Sequence, residues 1–506
     1  MVDGELLGPR IYDAWDTLPE VFRQEFLARR TAAAGWVSYQ GPESDGRRWE
    51  PLRPVVIGEQ SYRDLEALSV RLLHLAVDAC RRRASTLGEL HRALRYSHDL
   101  PLMDPDRPLV AAELTRYARP DILIEQGRPR FLELNNATQL GGNTTAPRLA
   151  EAYARLCPHS GLRAPPSTVT ARAAALARTL RADVGRGGRG RLLIPRYRVI
   201  DRTGALHRRR ETGESPIVAE ARRVGLEVVQ ADLVDLRLDP SGRLLAADAP
   251  IDLVLIEWSS SERIVDCGGG LAALRTADRA GTVQLFPRTE SVLISSKAVL
   301  AWLHEDCDAG LLAPADRALV LTHVPWTACL GLDRDPGADG KLLRVAVDER
   351  DRLIVKPSRS SRTYGHVYAG SVASPGSIRG AGNFDVLFGK QIPEQDWLPA
   401  IVGAARKSPL FLQHRVESAR LTMPFRDRYS GQQTTTQVPF VLSPFIIDGA
   451  AASVYVRHMG PDVSAQDVAI NVRRGACQNT VLLAPELSAQ RRRGGFSGGD
   501  PYDQPG

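Results

Sequence analysis

The spacing of apolar residues along the chain changes near residue 110. Before that point, apolar positions recur at helical intervals: residues 65–73 follow Ser61 and Asp64, a pair that resembles a capped first turn. A second helix is expected over residues 86–95. These patterns predict a mainly helical N-terminal region over residues 1–110.

From residue 120 the pattern becomes that of β-strands. Apolar and polar residues alternate over residues 121–125 and again over 131–135, and the sequence Gln-Gly-Arg-Pro between them is typical of a turn. We therefore expect a β-hairpin. A helix should follow, because Thr144 or Thr145 can cap it and Pro147 then falls in its first turn.

The next part of the chain alternates strands with a helix. Strands are predicted over residues 192–195, 226–230 and 251–257, with a helix over 216–224 between the first two. Alternation of this length favours a small parallel sheet. Further strands are predicted, in order, over residues 353–356, 410–413, 440–447 and 452–457.

Composition narrows the class of protein. The 506 residues are 43% apolar and 25% charged, as in globular proteins, and no apolar run approaches the roughly 18–20 residues that span a bilayer. The acidic N-terminus lacks the apolar core of a signal peptide, and the six cysteines are scattered in a way that suggests reduced thiols. We expect a cytoplasmic protein with no membrane partner.

Basic residues are in slight excess, with a formal net charge of +7. That excess is small for a nucleic-acid-binding protein of 506 residues. The cluster of arginines at residues 208–210 has no aromatic residues interleaved for base stacking, so we do not expect a nucleic-acid partner. Only five basic residues are lysines, against 61 arginines. We therefore expect the lysines to occupy positions that need a compact, flexible ammonium.

The predicted hairpin carries oxygen-bearing side chains on one face. Glu133 and Asn135 share a face because strand residues two apart do so, and a register that sets Asp121 opposite Asn135 would add a second carboxylate. Such ligands suit Mg²⁺. Arg119 should point the same way and could neutralise charge during phosphoryl transfer. The alternative is an ordinary hairpin whose polar face meets water.

Two lysines occupy positions suited to nucleotide phosphates. Lys297 opens a predicted helix, and Lys356 ends a strand before a polar loop that contains Arg359 and Gly365. Such a loop could close over phosphates. The alternative is that both lysines are solvated surface residues.

A later segment, residues 412–417, could line a nucleotide cleft. Its backbone would then supply hydrogen bonds to adenine, with Gln413 and Val416 among the cofactor-binding residues, and Glu417 would contact ribose. Alone, this segment is uninformative.

In this order, the motifs resemble those of the circularly permuted ATP-grasp ligases, the superfamily of glutathionylspermidine synthetase. The match is carried by Arg119-x-Asp121, then Glu133-x-Asn135, and after them by four further motifs: Lys297, residues 324–327, Lys356-Pro357 and Leu412-Gln413. It spans roughly residues 100–480. The family's lid loop usually carries several glycines, whereas Gly365 here stands among serines and arginines.

The resemblance implies a mixed fold, α+β with an α/β part. An ATP-grasp core in circularly permuted order would be joined to the helical N-terminal region and a small parallel-sheet, pre-ATP-like domain. The implied division is a helical region (1–110), the hairpin and following helices (111–185), the pre-ATP-like domain (186–295), the nucleotide-binding lid (296–408), C-terminal core strands (409–487) and a disordered tail (488–506).

The resemblance also implies a reaction. Mg²⁺ would bind Asp121, Glu133 and Asn135, while Arg119 and the two lysines hold the phosphates of ATP. A small-molecule or peptide carboxylate would be phosphorylated, and an amine would attack the acyl phosphate to give an amide, ADP and phosphate. The alternatives are an ATP-grasp phosphotransferase, and a non-catalytic protein that binds nucleotides or nucleic acid. The sequence does not identify the carboxylate and amine substrates or the oligomeric state.

Overall fold

The computed structural model describes most of the 506 residues. The described residues are 10–33, 48–96, 100–184, 190–200, 206–208, 215–258, 263–264, 268–332, 335–357, 387–388, 393–406, 409–462, 470 and 476–485. The expected lid loop with Arg359 and Gly365, and the expected disordered tail, lie outside them.

Helices occur throughout these residues. They are α1 (Glu20–Ala32), α2 (Glu59–Arg81), α3 (Leu87–Ala93), α4 (Ala111–Leu114), α5 (Thr145–Leu156), α6 (Thr168–Val184), α7 (Pro216–Arg223), α8 (Gly270–Arg279), α9 (Lys297–Asp308), α10 (Pro314–His323), α11 (Gly340–Asp348) and α12 (Glu394–Ala405). Short 3-10 turns lie at Trp15–Thr17, Leu233–Asp235, Thr289–Ser295, Pro336–Ala338 and Arg350–Arg352.

Strands form five sheets. They are β1 (Trp49–Pro51), β2 (Val55–Gly58), β3 (Tyr117–Ala118), β4 (Asp121–Glu125), β5 (Arg128–Glu133), β6 (Arg191–Arg196), β7 (Arg198–Ile200), β8 (Leu206–Arg208), β9 (Glu227–Asp232), β10 (Arg237–Leu238), β11 (Leu244–Ala246), β12 (Ala249–Pro250), β13 (Leu253–Leu255), β14 (Arg263–Ile264), β15 (Gln284–Phe286), β16 (Thr327–Leu330), β17 (Leu353–Pro357), β18 (Leu387–Phe388), β19 (Leu410–His414), β20 (Arg420–Asp427), β21 (Gln433–Ile447), β22 (Ala450–His458) and β23 (Cys477–Ala484).

The largest sheet has nine strands and includes the predicted hairpin. Six strands follow the order β1-β20-β21-β22-β23-β2. Strands β3 and β4 also pair with β21, and β5 pairs with β4. The hairpin β4–β5 joins the sheet where Ile122 pairs with Leu442 of β21. Neighbouring strands are antiparallel except β2 and β23. The hairpin is therefore anchored in the main sheet, and its side chains are held against those of β21 and β22.

A second sheet is parallel, as the sequence predicts for this part of the chain. Its order is β15-β13-β6-β9. Along β6, Leu192 and Ile194 pack with α6 and α7, whereas Leu193 packs with α8 on the other side. Both faces are thus covered, which explains why these strands are continuous apolar runs rather than alternating ones.

A third sheet, β16-β19-β17-β18, has two unlike faces. Leu353 and Val355 of β17 and Leu412 of β19 pack with Trp397 of α12. The alternate residues of both strands lie on the opposite face because side chains alternate along a strand. That face carries Lys356 and reaches the hairpin.

Two helix starts test the N-terminal prediction. The helix expected over residues 86–95 is α3, and Thr86 caps it, since its hydroxyl accepts a hydrogen bond from the amide of Glu89. The expected start at Ser61 is wrong, because α2 begins at Glu59 with Gly58 as its N-cap. Strand β2 ends at Gly58, so the chain turns directly from the strand into the helix without a side-chain cap.

The N-terminal segment is joined to the main sheet by buried ion pairs. Arg30 of α1 lies 2.7 Å from Glu50 of β1, and Arg53 lies 2.7 Å from Asp13. We call these four residues the N-terminal charge cluster. Among the described residues, none of the helices is long and apolar enough to cross a membrane.

Candidate functional site

The two hairpin carboxylates face each other because of an irregularity in strand pairing. Asp121 pairs with Glu133, yet the next residue, Ile122, pairs with Phe131, so Leu132 is an extra residue in β5. Without this bulge Asp121 would pair with Leu132, and Glu133 would point to the other face. The expected register, with Asp121 opposite Asn135, is wrong. The observed register still brings both carboxylates to one face.

Asn135 and Arg119 complete the side chains expected at the hairpin. The amide nitrogen of Asn135 lies 3.3 Å from Oε1 of Glu133, and its main-chain oxygen accepts a hydrogen bond from the amide of Arg119. The Arg119 guanidinium lies 3.3 Å from Oδ1 of Asp121 and donates to the carbonyl of Gly141 at 2.5 Å. The structure therefore brings these four residues together.

Two residues from distant strands also contact Asp121, and sequence reasoning missed both. Arg457 of β22 lies 2.6 Å from Oδ2 of Asp121, and the hydroxyl of Ser443 in β21 donates to Oδ1 at 2.8 Å. They reach Asp121 because β21 lies between β4 and β22. One signal was present in the sequence: Arg457 is a charged residue at the end of an apolar strand.

The two lysines that were expected to bind phosphate both lie beside strand β5 of the hairpin. Lys297 opens α9, where Ser296 caps the helix, and its ammonium lies 3.2 Å from Oε2 of Glu133. Lys356 donates to Oε1 of Gln413 at 2.7 Å and makes a longer contact, 3.5 Å, to the carbonyl of Leu132. Neither lysine is a solvated surface residue, since both are buried.

Burial and neighbouring charges shift the pKa values of Glu133 and Lys356 in opposite directions. Burial alone would raise the pKa of Glu133, but the ammonium groups of Lys297 and Lys356 outweigh it and hold that pKa well below its usual range. Burial lowers the pKa of Lys356 to about 8, although the nearby Glu133 carboxylate opposes the shift. Glu133 is therefore ionised at neutral pH, and Lys356 is mostly protonated.

The described charges of the site do not cancel. Four cations lie beside the carboxylates of Asp121 and Glu133, and they are Arg119, Arg457, Lys297 and Lys356. Four positive and two negative charges leave a net charge of +2. Since an unbalanced positive cluster favours an anionic ligand, the site is suited to phosphate groups.

The oxygen-bearing side chains fit a hard divalent cation. Asp121, Glu133 and Asn135 converge, and the Glu133 side chain keeps 26% of its surface exposed, so the group can be reached from solvent. A half-turn of the Asn135 amide would present its oxygen in place of its nitrogen. Two carboxylates and an amide oxygen are ligands of the kind that Mg²⁺ prefers, with water and phosphate in its other positions. Within the described ranges, no group of three or more His, Cys, Asp or Glu residues could hold a metal ion by itself.

The remaining predicted residues are placed as follows. The side chain of Gln413 is buried against Lys356, whereas Val416 follows the end of β19 and is partly exposed. Glu417 has a 78% exposed side chain that pairs with Arg415, and its amide donates to Glu125 at the far end of β4. The structure therefore does not bring Glu417 to the carboxylate pair.

Comparisons with known proteins add little to this geometry. No family model matches the chain, and no curated protein matches it. Among solved structures, the chain is similar to a glutathione synthetase-like effector (GSS30) from Globodera pallida in its apo form, with a TM-score of 0.49 and 12% identity over 92% of this chain and 98% of that chain. A similarity of this degree leaves the function to be argued from the residues themselves.

Proposed function

We propose that the chain is an ATP- and Mg²⁺-dependent ligase that joins a carboxylate to an amine through an acyl phosphate. In this proposal the fold is an ATP-grasp core in circularly permuted order, the nine-stranded sheet supplies the metal-binding hairpin, and the third sheet supplies the lid lysine. The observation that carries the proposal is the surplus of two positive charges around a facing pair of carboxylates.

The charge balance supports a nucleoside triphosphate as the ligand. A magnesium-bound ATP carries a net charge of −2, which matches the surplus of the site. An isolated inorganic phosphate would leave hydrogen-bond donors unused, because the two arginines contact Asp121 whereas Lys297 contacts Glu133. A chain of phosphates could contact more of these cations.

The residues have separate tasks in this reaction. Lys297 and Lys356 would bind the phosphates of ATP, and Arg119 would contact the γ-phosphate while charge develops on its oxygens. Arg457 would hold the Asp121 carboxylate in its orientation. A magnesium ion held by the hairpin oxygens would offset charge on the β- and γ-phosphates.

The chemistry needs little covalent participation by the protein. A carboxylate oxygen of the substrate attacks the γ-phosphorus, the bond to the bridging oxygen breaks, and ADP leaves. The amine then attacks the acyl carbon, loses a proton to solvent, and displaces phosphate. Positioning and electrostatic stabilisation account for catalysis of this kind, and the protein must also exclude water from the acyl phosphate.

Product analysis on purified protein tests the proposal. We expect a panel of carboxylates and amines to contain pairs for which ADP, phosphate and an amide appear in equal amounts, with each substrate required. A phosphorylated product formed from one substrate alone would instead indicate a phosphotransferase. Absence of ATP turnover and of ATP binding would refute the proposal.

A control variant separates the site from the rest of the surface. Arg178 of α6 pairs with Asp448 on an exposed part of the chain and has no contact with the hairpin. Arg178→Met should retain full turnover, whereas Arg119→Met should lose about 100-fold or more, as expected for removal of a donor to the transition state.

A further inference from the structure

Three polar side chains lie next to each other across three strands of the third sheet. Thr327 of β16 pairs with Gln413 of β19, and Gln413 pairs on its other side with Ile354 of β17. Lys356 lies two residues beyond Ile354 and so points to the same face as Gln413, at a diagonal position. The three residues form a row that begins at an edge strand and ends at the hairpin.

This row is buried, which makes its hydrogen bonds obligatory. Thr327 is 2% exposed, Gln413 1% and Lys356 6%. Their neighbours on the same face include the apolar Ile354 and Phe411, both of which are also buried. A buried polar group without a partner costs free energy, and a buried ammonium costs more than a neutral group. Each of the three side chains therefore depends on the next.

Chemistry dictates the direction of every hydrogen bond in the row. The ammonium of Lys356 can only donate, so the amide atom 2.7 Å away must be the oxygen of Gln413. The amide nitrogen of Gln413 then faces the hydroxyl of Thr327 at 3.0 Å and the carbonyl of Leu132 at 3.4 Å. A carbonyl can only accept, so this second requirement agrees with the first.

The far end of the row is fixed in the same way. The hydroxyl of Thr327 accepts from Gln413 and donates to the carbonyl of Pro325 at 2.8 Å. At the near end, the carbonyl of Leu132 belongs to the extra residue of the hairpin bulge and faces both Lys356 and Gln413. The bulge that turns Glu133 toward Asp121 thus also supplies the acceptor that joins the third sheet to the hairpin.

We propose that Thr327 and Gln413 are positioning residues that fix the ammonium of Lys356 against the hairpin. Gln413 presents its amide oxygen to the lysine, and Thr327 prevents the amide from rotating. Neither residue needs to touch the nucleotide through its side chain. The consequence for ATP binding rests on the proposed function, whereas the fixed ammonium is a property of the protein alone.

The alternative interpretation is that the row only satisfies buried polar atoms in the sheet. The two interpretations differ in what happens to Lys356 when Thr327 changes. If the hydroxyl only satisfies local groups, its loss alters stability and leaves the lysine unchanged. If it orients Gln413, its loss releases an ammonium that it does not contact.

The scarcity of lysine makes a direct measurement possible. The chain has five lysines, so nitrogen-15 labelling of lysine gives at most five side-chain ammonium signals in an NMR spectrum. Only ammonium groups held in hydrogen bonds away from water exchange their protons slowly enough to be seen near neutral pH. We expect a signal that disappears in Lys356→Arg, which assigns it.

Four variants then separate the interpretations. Thr327→Val and Gln413→Leu should speed proton exchange at the Lys356 ammonium by about ten-fold or more, because each removes one link of the row. Thr327→Ser keeps the hydroxyl and should restore the slow exchange. Thr179→Val is the matched control, since Thr179 is a buried threonine of α6 whose hydroxyl donates only to Ala175. Unchanged exchange in Thr327→Val, or no protected Lys356 signal in the wild type, would overturn the proposal.

A kinetic measurement keeps this proposal distinct from the proposed function. Thr327→Val should raise the KM for ATP about ten-fold with a smaller effect on kcat, and Thr327→Ser should restore it. If exchange changes as expected but the wild type binds no ATP, the positioning pair stands and the ligase proposal fails. If the wild type turns over ATP and exchange does not change, the positioning pair is rejected and the ligase proposal stands.

Discussion

The candidate site and the N-terminal charge cluster both gather charged side chains at the main sheet, but they balance those charges differently. In the N-terminal charge cluster, Arg30 pairs with Glu50 and Arg53 with Asp13, so two positive charges meet two negative ones. Each guanidinium also lies over an aromatic ring, Tyr153 or Trp15. At the candidate site, four cations share two carboxylates.

The difference separates a structural role from a binding role. Matched ion pairs need no ligand to balance their charges. Removing one partner of a buried pair destabilises the fold, because the other charge is left buried and unpaired. A surplus of cations is destabilising in the free protein because like charges lie close together, and an anion can relieve it. Substitutions in the N-terminal charge cluster should therefore change stability, and those at the site should change binding and turnover.

The largest expected effect is on turnover, in Glu133→Ala. Loss of this carboxylate removes a metal ligand and the partner of Lys297, so activity should fall by about 1,000-fold or more. The thermal midpoint of unfolding should change by only a few degrees. ADP release and a thermal melt measure both. Glu125→Ala, at the turn end of the same hairpin, is the control and should stay active. Equal losses in both variants would contradict a special role for Glu133.

The next effect is on stability, in Arg30→Met. This change leaves Glu50 buried without its partner and should lower the free energy of unfolding by about 3–5 kcal/mol. Urea unfolding measures it. Turnover per folded molecule should remain that of the wild type. A variant as stable as the wild type but inactive would reverse the contrast between the two clusters.

Lys356→Met should weaken ATP binding by about 100-fold, because a buried charge-assisted contact to phosphate is lost. Stability should change little, since the variant removes a buried ammonium but leaves the amide oxygen of Gln413 without its donor. Titration calorimetry with ATP and Mg²⁺ tests the first statement. Unchanged ATP affinity would remove Lys356 from the site.

The smallest effect is a pH dependence that follows from the same lysine. Its pKa is lowered from 10.5 to about 8, so it loses its charge as pH rises through 8. Affinity for ATP should fall by roughly 20-fold between pH 7.5 and 9.5. The contribution of Lys356 to the free energy of unfolding has the opposite sign: it rises from pH 8 to 10.5, where the unfolded chain still binds the proton. Lys356→Met should remove both dependences.

Part of this site could be predicted from the sequence because it depends on local periodicity. Alternation along a strand places Glu133 and Asn135 on one face, and an apolar strand that ends in a lysine draws attention to Lys356. The register could not be predicted, since the extra residue at Leu132 leaves no mark in the pattern. A hairpin of the same sequence without the bulge would separate the carboxylates.

The rest of the site depends on pairing between distant strands. Ser443 and Arg457 reach Asp121 from more than 300 residues away along the chain, through a sheet order in which β21 adjoins both β4 and β22. Likewise, the sequence draws attention to Gln413 but does not reveal that its side chain is hydrogen-bonded to Lys356 and Thr327. Such contacts need the fold, because no local pattern encodes which strands become neighbours.

Equilibrium binding of a non-hydrolysable ATP analogue, with and without Mg²⁺, tests most directly whether the unbalanced charges form a metal–nucleotide site. The wild type should bind the analogue at least about 100-fold more tightly with Mg²⁺ than without it, and Glu133→Gln should lose that difference. Binding that is equally tight without the metal, or that survives unchanged in Glu133→Gln, would contradict a metal site at the hairpin.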